Sequence, residues 1–382
     1  MFTGFGDWAG MKIAVIGWEL PPAFSGGLGV HTLNLFSEIA DYIDIDLYVP
    51  SFKGLKGIYK FNVIPVPIEH GIAGNPYEIT SFPDFYESVL SYNEQVVKAF
   101  DPKDVKIIHC HDWITYLSGL QLSKKYHIPL VVTVHSTEFD RSAYFNPQRR
   151  IIDIEKMGVI GADRVIAVSN YTKSIVVREY ACDPDKIRVI YNGVNKDYYI
   201  SGEKDYELKN RVLYFGRLTS QKGGKFFMET ASKVLKVNKD IEFTVAGSGE
   251  QSSEMKWMAK EFGIADRIKF EGFVSFRESA KYYRDSDIFV LPAVSEPFGM
   301  TVLESLISGT PVIISNTTGV GEALRNVLKA DYWDTDLFSQ YILYVVRYKS
   351  LRGTLGSLGQ IEASRFTWRR AAVQTMGVYL GL

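Results

Sequence analysis

The stretch Ser295-Glu296-Pro297-Phe298-Gly299-Met300-Thr301-Val302-Leu303-Glu304 sets two carboxylates eight positions apart around a Pro-Phe-Gly insert. Apolar Met300, Leu303, Leu306 and Ile307 follow with helical spacing, and Gly309 closes the pattern. Glu296 therefore falls on a loop and Glu304 on the helix. One carboxylate can then meet a sugar while the other receives ribose hydroxyls, with the helix start at Phe298, Gly299, Met300 and Thr301 facing phosphate. Two surface glutamates would need no such insert.

A second stretch, Tyr214-Phe215-Gly216-Arg217-Leu218-Thr219-Ser220-Gln221-Lys222-Gly223, places Arg217 and Lys222 just past an apolar run. Two fixed cations at a strand exit suit a diphosphate, although a solvated basic turn has the same composition. Near the start, Gly17-Trp18-Glu19-Leu20-Pro21-Pro22 leads to Gly26-Gly27-Leu28-Gly29-Val30-His31. Paired glycines before a helix let amides approach an anion, so Gly26 and Gly27 are candidate phosphate ligands; a plain tight turn is the alternative. The spacing is not the dinucleotide fingerprint.

His109-Cys110-His111-Asp112-Trp113 puts two histidines on one face of a strand, but no third ligand at standard metal spacing accompanies them, so no metal is expected. His135, in Thr133-Val134-His135-Ser136-Thr137-Glu138, falls at the next strand end. A lone histidine there is structural more often than chemical.

Elements able to position these loops alternate along the whole chain. Strands are expected at 12–17, 45–49, 61–66, 105–110, 130–134, 164–168 and 188–190, then at 212–215, 242–246, 268–270, 288–291 and 312–315. Helical patterns fall between most of them, as with Val30, Leu33, Phe36 and Ala40 on one face. The series breaks once, after Asn192-Gly193, in a polar stretch from Asn195 to Asn210 that reads as a linker. The fold class is α/β, with two Rossmann-like doubly wound parallel-sheet domains facing across a cleft.

At 382 residues the chain exceeds one ordinary core, which agrees with two domains, here 11–195 and 196–365. Residues 1–10 read as a loose, Gly-rich extension. Lys plus Arg number 43 and Asp plus Glu 44, so a net charge of −1 supplies no field for nucleic acid. Two cysteines make no disulfide framework, no apolar run is long enough to span a membrane, and no export signal opens the chain. The expectation is a cytoplasmic protein. Lys53, Lys56, Tyr59, Lys60, Tyr77, Phe82, Phe85 and Tyr86 could line an acceptor groove or touch a membrane surface, or simply anchor loops.

Together these motifs resemble the retaining glycosyltransferases of the GT-B architecture, the family 4 group and its glycogen-synthase-like branch. The likeness runs from about Lys12 to Tyr379, and its most specific part is Glu296 to Glu304, similar to the family's E-x7-E signature. What the resemblance implies is transfer of glucose from ADP- or UDP-glucose to an α-glucan. Arg217 and Lys222 would neutralise the diphosphate, Glu304 would hold the ribose, and Glu296 and His135 would lie at the transferred sugar. Gly26 and Gly27 would close over the phosphates, and Asp112 and Trp113 would lie on the acceptor side. Residues 366–382, opening with Phe366-Thr367-Trp368, look like the family's terminal helix that crosses back to the first domain. Glycogen synthases carry Lys where Phe24 stands, and the Gly-containing segment after Thr318-Gly319-Val320-Gly321-Glu322 looks reduced to Val327 to Trp333.

No cofactor is implied beyond the donor. Other enzymes on this scaffold make trehalose, sucrose or a glycolipid, or epimerise nucleotide sugars, and a sugar-nucleotide sensor would keep the binding residues without turnover. Phosphate ligands drawn from both halves require domain closure. Small-angle scattering is thus expected to show a smaller radius of gyration at saturating donor; an unchanged curve would contradict this.

Overall fold

The computed structural model describes residues 10–22, 26–51, 55, 57–69, 82–200 and 204–382. Outside them lie residues 1–9 of the expected extension, Phe24, Lys53, Lys56 and Tyr77; the side chain of Phe82 is likewise undescribed. The chain divides into two compact units, one comprising Met1–Glu138, Pro147–Gly193 and Trp368–Leu382, the other Phe139–Asn146 and Val194–Thr367.

The first unit is built on a parallel sheet of seven strands among the described residues: β1 (Lys12–Ile16), β2 (Asp44–Pro50), β3 (Asn62–Val66), β4 (Val105–His111), β5 (Leu130–Val134), β6 (Arg164–Ala167) and β7 (Ile187–Val189). Their order is β3-β2-β1-β4-β5-β6-β7. Ile13, Ala14, Val15 and Ile16 are fully buried, as expected of a parallel strand covered on both faces, which reads as a continuous apolar run. The helix Gly27–Ile39 packs beside the helix Trp368–Leu380. Its buried side includes Leu28, Thr32, Leu35, Phe36 and Ile39, so the inner stripe is rotated from the expected one and shares only Phe36. Thr32 tolerates burial because its hydroxyl donates to the Leu28 carbonyl at 2.9 Å.

The second unit repeats the plan with β8 (Arg211–Phe215), β9 (Glu242–Ala246), β10 (Ile268–Gly272), β11 (Ile288–Leu291), β12 (Val312–Ser315) and β13 (Leu328–Ala330), ordered β10-β9-β8-β11-β12-β13. β13 lies inside Val327 to Trp333, the segment that looks reduced in sequence. Its three residues pair in parallel with β12, and three residues are too few for a period to show. In each sheet the order reverses beside the first strand, between β1 and β4 and between β8 and β11. Loops leaving such a neighbouring pair diverge, which is where open α/β sheets take ligands.

The described residues between Asn195 and Asn210 are not a loose connector. Lys196–Tyr199 forms a helical turn with Tyr199 buried. Lys204 Nζ donates to the carbonyls of Arg284 at 2.6 Å and Ser286 at 2.9 Å, to Thr310 Oγ1 at 2.8 Å, and more distantly to the Tyr283 carbonyl at 3.3 Å. Buried Arg352 donates to the Tyr206 carbonyl, and Asp287 accepts the amides of Lys209 and Arg211. Polar composition concealed this because every polar group involved has a partner.

Burial pushes the Lys204 pKa down to about 7. Unfolded Lys204, titrating near 10.5, would bind more protons than the folded residue between these values, so its contribution makes stability rise with pH across that window. Lys204→Met should cost about 2 kcal/mol through stranded acceptors. Denaturant melts from pH 7 to 10 should show the gap to the parent protein widening; a constant or narrowing gap would refute the assignment.

Candidate active site

At the carboxyl end of β8 the chain turns through Gly216 and Arg217 into a short helical turn, Ser220–Lys222. The Gln221 carbonyl in that turn accepts the amides of Val294 at 2.9 Å and Ser295 at 3.3 Å, tying it to the loop that leaves β11. Gly223 adopts φ +72°, and a Cβ there would lie 1.8 Å from the Pro292 carbonyl oxygen, so only glycine lets the two loops meet. Across this junction Lys222 Nζ and the Glu296 carboxylate form an ion pair, with side chains 16% and 8% exposed. Glu296 is fixed through its backbone as well: its amide donates to the Thr317 carbonyl at 3.0 Å, and its carbonyl accepts from Gly319 at 2.8 Å. Arg217 is half-buried. It and Glu296 act with opposite sign on the buried Tyr214 hydroxyl, whose pKa is raised first by burial, so both charges belong to the same end of β8.

Gly299, at φ +103°, turns the chain into the helix Met300–Ile307. Phe298 is buried and its carbonyl accepts from Val320 at 2.7 Å; Met300 and Thr301 are half-buried in the first turn. Glu304 is given different partners from Glu296. Its Oε2 accepts from the Tyr283 hydroxyl at 2.9 Å, burial raises its pKa, and the Tyr283 and Tyr199 hydroxyls oppose the rise. Neither tyrosine was singled out in the sequence. Tyr199 sits in the supposed linker, and Tyr283 is one of two adjacent tyrosines with nothing to mark which faces inward.

In the first unit, the chain leaving β1 carries Glu19, 1% exposed, whose Oε2 accepts the amides of Gly26 and Gly29, each at 2.8 Å. The start of the helix Gly27–Ile39 thus holds one of the chain's own carboxylates. The amide of Gly26, expected to meet phosphate, is already engaged, and Gly27 is exposed.

At the ends of β4 and β5 the Asp112 carboxylate accepts the amides of His135 at 2.7 Å and Ser136 at 3.4 Å. Asp112 itself has φ 57° and ψ 169°, a region that favours glycine, so this turn carries strain. Trp113 begins the next helix, its ring near those of Phe85 at 5.9 Å and Tyr86 at 6.4 Å. Tyr59 donates to the Pro21 carbonyl and Lys60 pairs with Asp41 within the first unit.

Four histidines gather here. His109 Nδ1 meets the Tyr379 hydroxyl at 2.6 Å, and its Nε2 meets Thr133 Oγ1 at 2.8 Å. His31 Nδ1 meets Asn192 Oδ1 at 2.8 Å, and His111 Nδ1 meets His135 Nε2 at 3.0 Å. Burial lowers all four pKa values, that of His31 to about 4 and that of His109 to about 3. They are neutral at physiological pH.

A profile described as Glycosyltransferase Family 4 matches residues 25–198, and one described as Glycosyl transferases group 1 matches residues 197–347. The chain is a group 1, family 4-like glycosyltransferase. An uncharacterized glycosyltransferase of Methanocaldococcus jannaschii is 29% identical over 83% of this chain and 83% of that one. At 25% identity stand a D-inositol 3-phosphate glycosyltransferase of Arthrobacter (93% of this chain, 90% of the relative) and a glycogen synthase of Mycobacterium tuberculosis (83% and 80%). In fold, this glycosyltransferase is similar to sucrose-phosphate synthase of Thermosynechococcus elongatus, with TM-score 0.81 at 20% identity over 97% of this chain and 98% of that one. Its two parallel-sheet units are those of GT-B enzymes. None of its described helices is long and apolar enough to cross a membrane.

If Glu19 sets the glycine loop of this glycosyltransferase, Glu19→Ala should raise amide hydrogen exchange at Gly26 and Gly29 about tenfold or more while β1 keeps its protection. Unchanged exchange at both glycines would show that the carboxylate is dispensable there.

Proposed function

We propose that the protein is a retaining, metal-independent hexosyltransferase of the cytoplasm. It moves glucose from ADP- or UDP-glucose to a hydroxyl of an α-glucan. The observation that carries this reading is the Lys222–Glu296 ion pair, held by backbone hydrogen bonds between the loops that leave β8 and β11. A diphosphate, with more than one negative charge, competes better for the Lys222 ammonium than a single carboxylate does. Its arrival would shift Lys222 towards phosphate and release Glu296 to accept hydroxyls of the donor hexose. Arg217, at the same end of β8, would share the phosphate charge. Glu304, steadied by Tyr283, would receive the ribose, with Phe298, Gly299, Met300 and Thr301 leading into its helix. From the first unit, His135 would meet the hexose as a neutral imidazole, while Asp112 and Trp113 would border the acceptor.

In the reaction, the acceptor oxygen bonds to the anomeric carbon as the bond to the leaving phosphate oxygen breaks. That phosphate oxygen takes the acceptor's proton on the same face, which retains configuration. Preorganised positive charge on the leaving group is then the main source of rate. The relative named a glycogen synthase supports a glucan acceptor; the one named for inositol 3-phosphate supports a small phosphorylated polyol as the second reading.

The protein should transfer glucose from ADP- or UDP-glucose to maltodextrin, with proton NMR showing an α-anomeric product. Lys222→Ala should lower turnover about a hundredfold or more. Because that change strands Glu296, the paired variant Lys222→Met with Glu296→Gln serves as a second case, expected to fold and to be equally impaired. Parental turnover in either folded variant would overturn the assignment. Transfer to inositol phosphate alone would select the second reading.

A further inference from the structure

The first unit also holds a cavity of about 320 Å³ between the outer strands of its sheet and the helix Trp368–Leu380. Arg164 is the first residue of β6, at the amino end of that strand, and Arg188 lies in β7, the edge strand among the described residues. Register puts both side chains on one face of the sheet: Ile166 pairs with Arg188, and Arg164 stands two positions before Ile166. Gln374, Gly377, Val378 and Gly381 supply the facing wall.

Both guanidiniums are held in place without being neutralised. Arg164 Nη1 and Nη2 donate to the carbonyls of Asp163 and Gly381, each at 2.8 Å, and Arg188 Nη1 donates to the Asp185 carbonyl at 3.0 Å. No carboxylate among the described residues pairs with either arginine, and none lines the cavity. The carboxylates of Asp163 and Asp183 are engaged elsewhere, on the amides of Leu130 at 2.8 Å and Asp185 at 2.9 Å. Neutral carbonyls orient a guanidinium but leave its charge uncompensated, and unused N–H groups remain on each. The opposite wall is shaped by an omission. Gly377 lies inside a helix, where glycine costs stability relative to alanine, and a Cβ there would meet nothing within 4 Å. Neither close packing nor a left-handed turn calls for glycine at this position; what its bareness leaves is room.

We propose that Arg164 and Arg188 form a binding site for the phosphate group of a small phosphate monoester, whose organic part lies along Gly377 and Gln374. A tetrahedral dianion can take N–H donors from two guanidiniums at once, and charge-assisted bonds of that kind are the strong ones. The cavity's volume stands near the lower limit of ~300–1,000 Å³ for small-molecule sites, which suits a sugar phosphate better than a nucleotide. Exposed Arg188 leaves an entry from solvent. The site shares no residue with the loops of Lys222 and Glu296, so it stands whether or not those loops take a sugar nucleotide.

The full chain is titrated by calorimetry with glucose 1-phosphate and, separately, with inorganic phosphate. Expected are one bound equivalent of the ester and weaker binding of inorganic phosphate, which leaves the wall at Gly377 unfilled. Arg164→Gln and Arg188→Gln should each weaken binding about tenfold or more. Gly377→Leu should abolish binding of the ester without lowering the melting temperature, and Lys222→Ala, in the other unit, should bind as the parent protein does. The proposal is overturned by no heat with either ligand, by unchanged affinity in both arginine variants, or by loss of binding in Lys222→Ala, which would place the ester at the donor loops. Inorganic phosphate bound as tightly as the ester counts equally against it. Should Gly377→Leu not fold, Arg188→Gln, a change at an exposed position, decides alone.

Discussion

Adjacent parallel strands cannot be joined by a tight turn, and every other feature of this molecule follows from that. Each connection must cross the sheet, usually through a helix, so the loops at the carboxyl ends are spared the work of reversing the chain. Where β1 lies beside β4, and β8 beside β11, successive crossovers run to opposite sides and their loops part. Part of the chain's positive-φ backbone stands at those places. Gly223 at φ +72°, Gly299 at φ +103° and Asp112 at φ 57° all stand in such loops.

Three glutamates show how environment separates one chemical group into several. Glu296 faces an ammonium, Glu304 accepts from a phenol, and Glu19 accepts two backbone amides. The first pairs with a cation for which another anion could compete. The second is a polar hook held inside the protein, and the third serves as a brace within its own loop. The same side chain therefore gives an exchangeable contact, a fixed contact and a structural one.

Much of this was legible beforehand. Apolar runs bounded by turn residues located twelve strands to within a residue or two, since a buried parallel strand leaves little room for other compositions. Glu296 and Lys222 stood out because a charge at a strand exit is conspicuous. The sequence concealed features whose meaning depends on a distant partner. Lys204 reads as solvent-facing until Thr310 and the end of the helix Phe276–Asp285 arrive around it. His31, His111 and His135 come from separate elements with no shared spacing. Glu19 passed as part of a motif, and only coordinates reveal that its carboxylate folds back on the glycines.

That returning carboxylate changes what the glycine loop offers a visitor. A loop rich in bare amides would draw any oxyanion in the cell, from inorganic phosphate to free nucleotides. With Glu19 seated at the helix start, an oxyanion would first have to displace that carboxylate from the amides of Gly26 and Gly29. Selectivity at this end of the first sheet would then come from exclusion of charge more than from attraction.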